Sequence, residues 1–200
     1  LLKLWDPTGD RPCLIEFGYS CMGWELPAGL GVRMARPKGE VYVYIGDGTY
    51  LMNPTELVTA MQENLKITGV ISNNHGFQVI RRLPLWRTGR RFGNEFRARE
   101  RKSNRLEGDY VEIDFAGNAA SMGARTWKVD TTESLRQALA EARRETRSCV
   151  IVVETEKQRF ATGAGVWWDA APAETSGHAV TRQNRKEYES DRKKMQRYYY

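Results

Sequence analysis

The sequence predicts an α/β fold, a doubly wound and mainly parallel sheet with helices on both faces. Three observations carry that prediction. Short runs rich in β-branched and aromatic residues recur at residues 41–45 (VYVYI), 67–71 (ITGVI) and 148–153 (SCVIVV), as buried strands do. Between them lie stretches whose apolar residues are spaced three and four apart, the helical period. The two kinds of segment alternate, and strand–helix–strand succession implies crossovers of one hand and a parallel sheet.

Each element has its own justification. Residues 22–34 (MGWELPAGLGVRM) mix small and apolar side chains, as a helix packed closely on a sheet would, although Pro27 and the glycines work against it. The run 41–45 reads as a strand buried on both faces and is ended by Gly46-Asp47-Gly48. Asn53-Pro54 opens the next helix, a cap residue before Pro in the first turn, with Glu56 close behind. Leu57, Ala60, Met61 and Leu65 form its apolar stripe. Residues 67–71 are the following strand, closed by Asn73-Asn74. The interval 76–109 is Arg-rich and lacks periodicity, and an irregular stretch of that length is functional or mobile. Order returns with a helix over 114–122 capped by Asp114, a strand at 124–129, and a helix over 133–145 capped by Thr131 or Thr132. Leu135, Ala138, Leu139 and Ala142 share one face of that helix. After Glu154 the pattern stops. Residues 160–173 hold Trp167-Trp168 among Gly, Ala and Pro, and 181–200 read as a charged helical tail. The expected organisation is one domain over 1–170 and a helical extension over 171–200.

Composition bounds the function classes. The 200 residues are 40% apolar and 28% charged, the balance of a soluble globular protein. No run approaches 18 apolar residues, which excludes a membrane-spanning helix. Leu1 to Trp5 lack the charged lead and cleavage site of a signal peptide. Cys13, Cys21 and Cys149 are odd in number and lack metal-ligand spacing, so neither a disulfide framework nor a zinc site is expected, and a reducing cytoplasm is the expected compartment. The chain opens on Leu1-Leu2 and reads as the C-terminal part of something longer. Its net charge of +6 is concentrated: residues 81–108 carry ten Lys/Arg against Glu95, Glu100 and Glu107, and residues 182–200 carry seven basic against three acidic residues. Such segments can hold phosphates or nucleic acid. Solvated surface is the simpler reading, and without aromatic–basic interleaving a nucleic-acid partner is disfavoured.

The chemistry sits at two strand ends. In open α/β sheets ligands bind beyond the carboxyl ends of the strands. Gly46-Asp47-Gly48-Thr49 follows one strand, and Asn73-Asn74-His75-Gly76 follows the next. One helix separates them, so both ends can share a rim and bring a carboxylate and an amide together. These are hard oxygen ligands that suit magnesium or calcium. Glycines around Asp47 allow close approach of an anion, and backbone N–H groups at the next helix start can cradle phosphate. Each motif alone is ordinary turn chemistry. Together they make a site for magnesium and a diphosphate.

The joint pattern, Gly-Asp-Gly followed 27 positions after Asp47 by Asn74, resembles the signature of thiamine-diphosphate-dependent enzymes. The resemblance implies the thiamine-diphosphate-binding fold, with thiamine diphosphate and Mg2+ as cofactors. Asp47, the Asn74 side chain and the Gly76 carbonyl would hold the metal, and Gly46, Gly48 and Thr49 would meet the diphosphate. The segment 18–23 (GYSCMG) matches the part that meets the aminopyrimidine. There the Ser20 carbonyl would accept from the 4′-amino group, and Met22 would wedge under the cofactor to keep it bent. His75 would lie near the thiazolium, in a proton-transfer or substrate-binding role.

The wider wording, YVYIGDGTYLMNPTELVTAMQENLKITGVISNNHGF with FGNEFR at 92–97, residues 114–123 and the late Trp pair, is similar to the 3D-(3,5/4)-trihydroxycyclohexane-1,2-dione hydrolases of inositol breakdown. It departs from them at Arg81-Arg82. The resemblance implies hydrolytic cleavage of a C–C bond in a polyol-derived cyclic dione to give 5-deoxyglucuronate. An acetolactate-synthase-like carboligase or decarboxylase is the alternative with the same cofactor. It also implies a homo-oligomer, dimer or tetramer, whose site is shared with a neighbouring subunit's pyrimidine-binding domain. That domain, which supplies the glutamate facing N1′, and the middle domain are both absent from this chain.

Overall fold

The computed structural model describes residues 13–16, 18–159 and 171–195. The described parts of Leu1–Gly76 and Val111–Phe160 form one compact unit, and those of Phe77–Tyr110 and Ala161–Tyr200 form a second. Trp167-Trp168, Leu1–Trp5 and the expected boundary at 170 lie outside the described residues.

The first unit begins with α1 (Glu25–Ala35), β1 (Tyr42–Gly46), the short α2 (Asp47–Tyr50), α3 (Glu56–Gln62) and β2 (Thr68–Asn73). The second unit contributes α4 (Gln78–Thr88), β3 (Arg97–Glu100) and β4 (Arg105–Tyr110). The chain then returns to the first unit with α5 (Phe115–Ser121), β5 (Arg125–Val129), α6 (Thr132–Arg144) and β6 (Cys149–Glu154), and α7 (Ala179–Met195) belongs to the second. In the first unit four strands pair in the order β1-β2-β6-β5, every pair parallel. The step from β1 to β2 and the step from β5 to β6 run in opposite directions across this sheet. Crossovers of one hand therefore place α3 and α6 on opposite faces, which is the double winding expected.

The packing agrees. Cys149 and Ile151 of β6 join Val129, Ala138 and Ala142 in one buried cluster beneath α6. On the other face Gly69 lies against Val150 and Leu26 of α1. A Cβ on Gly29 would collide with the Val43 side chain, so glycine at that position is what lets α1 lie directly on β1. Leu57, Ile71 and Ile151 have no exposed surface, and burial of such side chains contributes about 1.5–3 kcal/mol each. Arg33 of α1 is buried as well. Its guanidinium donates to the carbonyls of Lys66 and Gly39 at 2.7 Å and also reaches those of Arg36 and Pro37.

Two capping expectations hold and one does not: α3 starts at Glu56 behind Thr55 with no side-chain cap, and Asn53 Oδ1 accepts from the Thr55 hydroxyl at 3.0 Å instead. The Asp114 carboxylate accepts from Gly117 N–H at 3.1 Å, and Thr131 forms a reciprocal box with Ser134. Two further expectations are corrected. β1 is not buried on both faces: Val43 and Ile45 are buried, whereas Tyr42 and Tyr44 are about half exposed. Their register partners Thr68 and Val70 pair in turn with Cys149 and Ile151, so the tyrosines share the face of α6, whose buried cluster lies over β5 and β6 instead. The interval 76–109 is not an irregular loop either. It holds α4, closed by Gly89 at φ 66°, and the antiparallel hairpin β3–β4. α4 escapes a periodicity reading because Pro84 lies inside it and Val79, Ile80 and Leu83 are exposed. Among the described residues no helix is long and apolar enough to cross a membrane.

Candidate functional site

Parallel pairing aligns Gly46 with Ser72, so the residues that follow each strand emerge on one rim of the sheet. Asp47 is 1% exposed. Its Oδ1 accepts from the N–H of Gly48 at 2.6 Å, and its Oδ2 accepts from the N–H groups of Asn74 and Gly76, both at 3.0 Å. Convergence of two amides from one short loop needs a tight curl. His75 at φ 61° and Gly76 at φ 138° supply it, the second in a region that glycine favours. Burial pushes the Asp47 pKa up, and the backbone N–H groups of Gly76, Gly48, Asn74 and His75 pull it only part of the way back. These named partners are neutral, so the carboxylate's negative charge is solvated by dipoles rather than cancelled.

That charge fits a cation. Among the described residues no three His, Cys, Asp or Glu side chains gather to bind a metal. A cation here would rest on one carboxylate together with amide and carbonyl oxygens from 74–76, a hard-oxygen set suited to magnesium.

The remaining residues expected at the site lie in the same unit. Thr49 is partly buried, and its Oγ1 lies 3.8 Å from where a Cβ on Gly46 would stand. Gly48 is buried within α2. Ser20, at φ 53°, and Met22 belong to an exposed loop. That loop is held at its start by Glu16, whose carboxylate accepts from Tyr19 N–H at 2.8 Å and Cys21 N–H at 2.7 Å. Those bonds hold its pKa below the ordinary carboxylate value. At its other end Gly23, at φ 90°, lies against the Cβ atoms of Met52 and Asn53, which ties the loop to the turn after α2. Met22 is 39% exposed, so plain core packing does not account for it.

His75 is buried, with Nε2 3.5 Å from Glu154 Oε2. Sequence reasoning left Glu154 without a role and missed Asn73, whose Nδ2 donates to Glu154 Oε1 at 2.7 Å. The available signal was position, since both residues close parallel strands. His178 and Cys21 are both exposed. Cys149 is buried, and burial pushes its thiol up to about 11, which makes it inert at neutral pH.

The basic interval is not wholly solvated. In the second unit Glu95 and Arg81 are both buried. Glu95 Oε2 lies 3.1 Å from Arg81 Nε and 3.3 Å from Arg97 Nε, and Tyr110 O–H donates to Oε1 at 2.6 Å. The Arg97 guanidinium stands 3.8 Å from the centre of the Tyr110 ring.

Residues 2–153 match the family model described as the thiamine pyrophosphate enzyme, C-terminal TPP binding domain. A 3D-(3,5/4)-trihydroxycyclohexane-1,2-dione hydrolase of Bacillus cereus is 39% identical over 176 residues, 88% of this chain and 27% of that protein. A hydrolase of the same name from Bacillus thuringiensis is 38% identical over the same shares. The chain thus spans about a quarter of the length of these curated relatives. Among solved structures, the thiamine diphosphate-dependent 4-hydroxybenzoylformate decarboxylase of Rhodococcus jostii RHA1 superimposes with a TM-score of 0.56 at 27% identity, over 68% of this chain and 23% of its own. Benzoylformate decarboxylase from Polynucleobacter necessarius does so with a TM-score of 0.55 at 23% identity, over 70% of this chain and 24% of its own, a likeness of fold alone. With a family model covering three quarters of its length, this chain belongs to the thiamine pyrophosphate enzymes and carries their C-terminal TPP-binding domain.

Proposed function

We propose that this chain is the magnesium- and diphosphate-holding part of a thiamine-diphosphate-dependent hydrolase that opens a C–C bond of a trihydroxycyclohexane-1,2-dione. The observation that carries the reading is the buried Asp47 carboxylate, ringed by backbone N–H groups from 48, 74 and 76 and holding a charge that a cation would cancel. The substrate is the one for which the Bacillus relatives are named.

In this reading Asp47, the Asn74 amide oxygen and the Gly76 carbonyl hold Mg2+. Gly46 and Gly48 leave room for the diphosphate, and Thr49 donates to it. The Ser20 carbonyl accepts from the aminopyrimidine, and Met22 supports the bent cofactor from its loop. When bound, thiamine diphosphate supplies a thiazolium that accepts the electron pair of the breaking C–C bond. Met22 would then contribute geometry, holding reacting groups together, and no proton chemistry. His75 stands on the metal loop and would meet the substrate. A neighbouring subunit of a homo-oligomer would supply the pyrimidine-binding half, in the cytoplasm.

Two measurements test this. Titration calorimetry of the holoenzyme carrying this chain, stripped of ligands, should show thiamine diphosphate binding that requires Mg2+; binding that ignores the metal rejects the Asp47 assignment. Incubation with the cyclic dione or with pyruvate then separates hydrolase from carboligase, since only the first should turn over the dione.

A further inference from the structure

Glu154 closes β6 directly opposite Asn73, its register partner at the end of β2, and its two oxygens are divided between two neighbours. Oε1 accepts from Asn73 Nδ2 at 2.7 Å, and Oε2 faces His75 Nε2 at 3.5 Å. Asn73 completes a ring: its Oδ1 lies 3.4 Å from the N–H of His75, and its carbonyl accepts from both the N–H and the hydroxyl of Thr155 at 3.0 Å. His75 itself is buried and held at φ 61°. A non-glycine residue keeps such a backbone only where its surroundings fix it, and such residues gather at functional sites. The ring leaves the imidazole on the loop between Asn74 and Gly76, the two residues assigned to the metal.

We propose that Glu154 is a positioning residue for His75, setting its ring orientation and its tautomer; the inference rests on the function proposed above. A carboxylate beside Nε2 favours the proton on that nitrogen, and the imidazole then carries its acceptor at Nδ1. Asn73 keeps the carboxylate in place by occupying its other oxygen. Among the described residues the Glu154 oxygens meet Asn73 and His75, so Glu154 acts through His75. Glutamine in its place can accept from only one of its two donor neighbours, and its amide N–H turned toward Nε2 would drive the proton to Nδ1.

The test uses Glu154→Gln, His75→Asn and the double variant in the holoenzyme. In mildly alkaline buffer, 15N-histidine spectra of the ligand-free protein should show His75 protonated at Nε2 in the parent and shifted toward Nδ1 in Glu154→Gln. Turnover of the cyclic dione should fall about 10- to 100-fold in kcat, with KM and thiamine diphosphate affinity unchanged. The double variant should be no slower than His75→Asn alone. A parental 15N pattern in Glu154→Gln, a loss confined to KM or cofactor affinity, or additive losses in the double variant would each overturn the proposal. Failure of the parent to bind thiamine diphosphate with Mg2+ would instead reject the proposed function, and the ligand-free spectra would still decide whether Glu154 governs His75. Glu154 is 46% exposed in its side chain, so the substitution leaves the core intact, and a thermal melt checks that.

Discussion

Asp47 and Glu95 are two buried carboxylates stabilised in opposite ways. Asp47 sits among backbone N–H groups, and burial leaves its pKa raised. At Glu95 burial also raises the pKa, but the Tyr110 hydroxyl, Arg81 and Arg97 outweigh it and hold it below the ordinary value. Glu95 carries its own counter-charges and is complete. Among the described residues Asp47 is met by backbone dipoles, which orient the carboxylate without neutralising it. A buried anion kept in that condition is costly unless something positive arrives. The difference separates a carboxylate that holds a fold from one that holds a ligand, although both are buried.

The largest effect expected from breaking this contrast is on binding. Asp47→Ala should weaken Mg2+-dependent thiamine diphosphate binding by about 1,000-fold or more, about 4 kcal/mol, while calorimetric melting shows the fold retained. Undiminished affinity would put Asp47 with Glu95 as a structural group. Glu95→Gln should do the reverse. It leaves Arg81 buried without its anion and should cost about 3 kcal/mol of stability by urea unfolding.

Gly76→Ala comes next. The carboxylate at 47 cannot lose its donors by side-chain deletion, but a Cβ at φ 138° strains the loop, at a cost of about 1–3 kcal/mol. Metal affinity and stability should fall together; a change in stability alone would show that the Gly76 N–H is dispensable.

The smallest effect is in pH dependence, where the two groups have opposite signs. Glu95, with its folded pKa below the ordinary 4.5, contributes stability that is full above that value and lost as pH falls through the folded pKa. Asp47, with its folded pKa above 3.8, favours the ligand-free fold fully below 3.8 and loses that contribution as pH rises through the raised value. Urea midpoints followed from neutral to acid pH should therefore fall less in Glu95→Gln than in the parent. They should fall more in Asp47→Asn, and Mg2+ should erase the latter difference.

How much of this was legible depends on how far apart the cooperating residues lie. Strands and capped helices could be read because period and cap residues are local: Asp114 and Thr131 cap the helices they were expected to cap. The Asp47 cradle could be read because both of its halves are short motifs of consecutive residues. The interval 76–109 could not, because α4 presents Val79 and Ile80 outward and Arg81 inward, inverting the usual pattern. Arg81 counted as surface charge in the sequence and is buried in the structure. The Asn73–Glu154 pairing was harder to read for another reason: the two residues lie 81 positions apart, and only their places at strand ends hint at it.

That separation also orders events in time. The link from Asp47 to Asn74 closes a loop of 27 residues, and the link from Asn73 to Glu154 closes one of 81. Closing the longer loop costs about 1 kcal/mol more in chain entropy. During synthesis, moreover, β6 leaves the ribosome long after β1 and β2. The Asp47 cradle is thus an early product of a single strand–helix–strand unit, and the clamp on His75 is a late one. A nascent chain paused before β6 would possess the means to grip an ion before it possesses the means to aim its histidine.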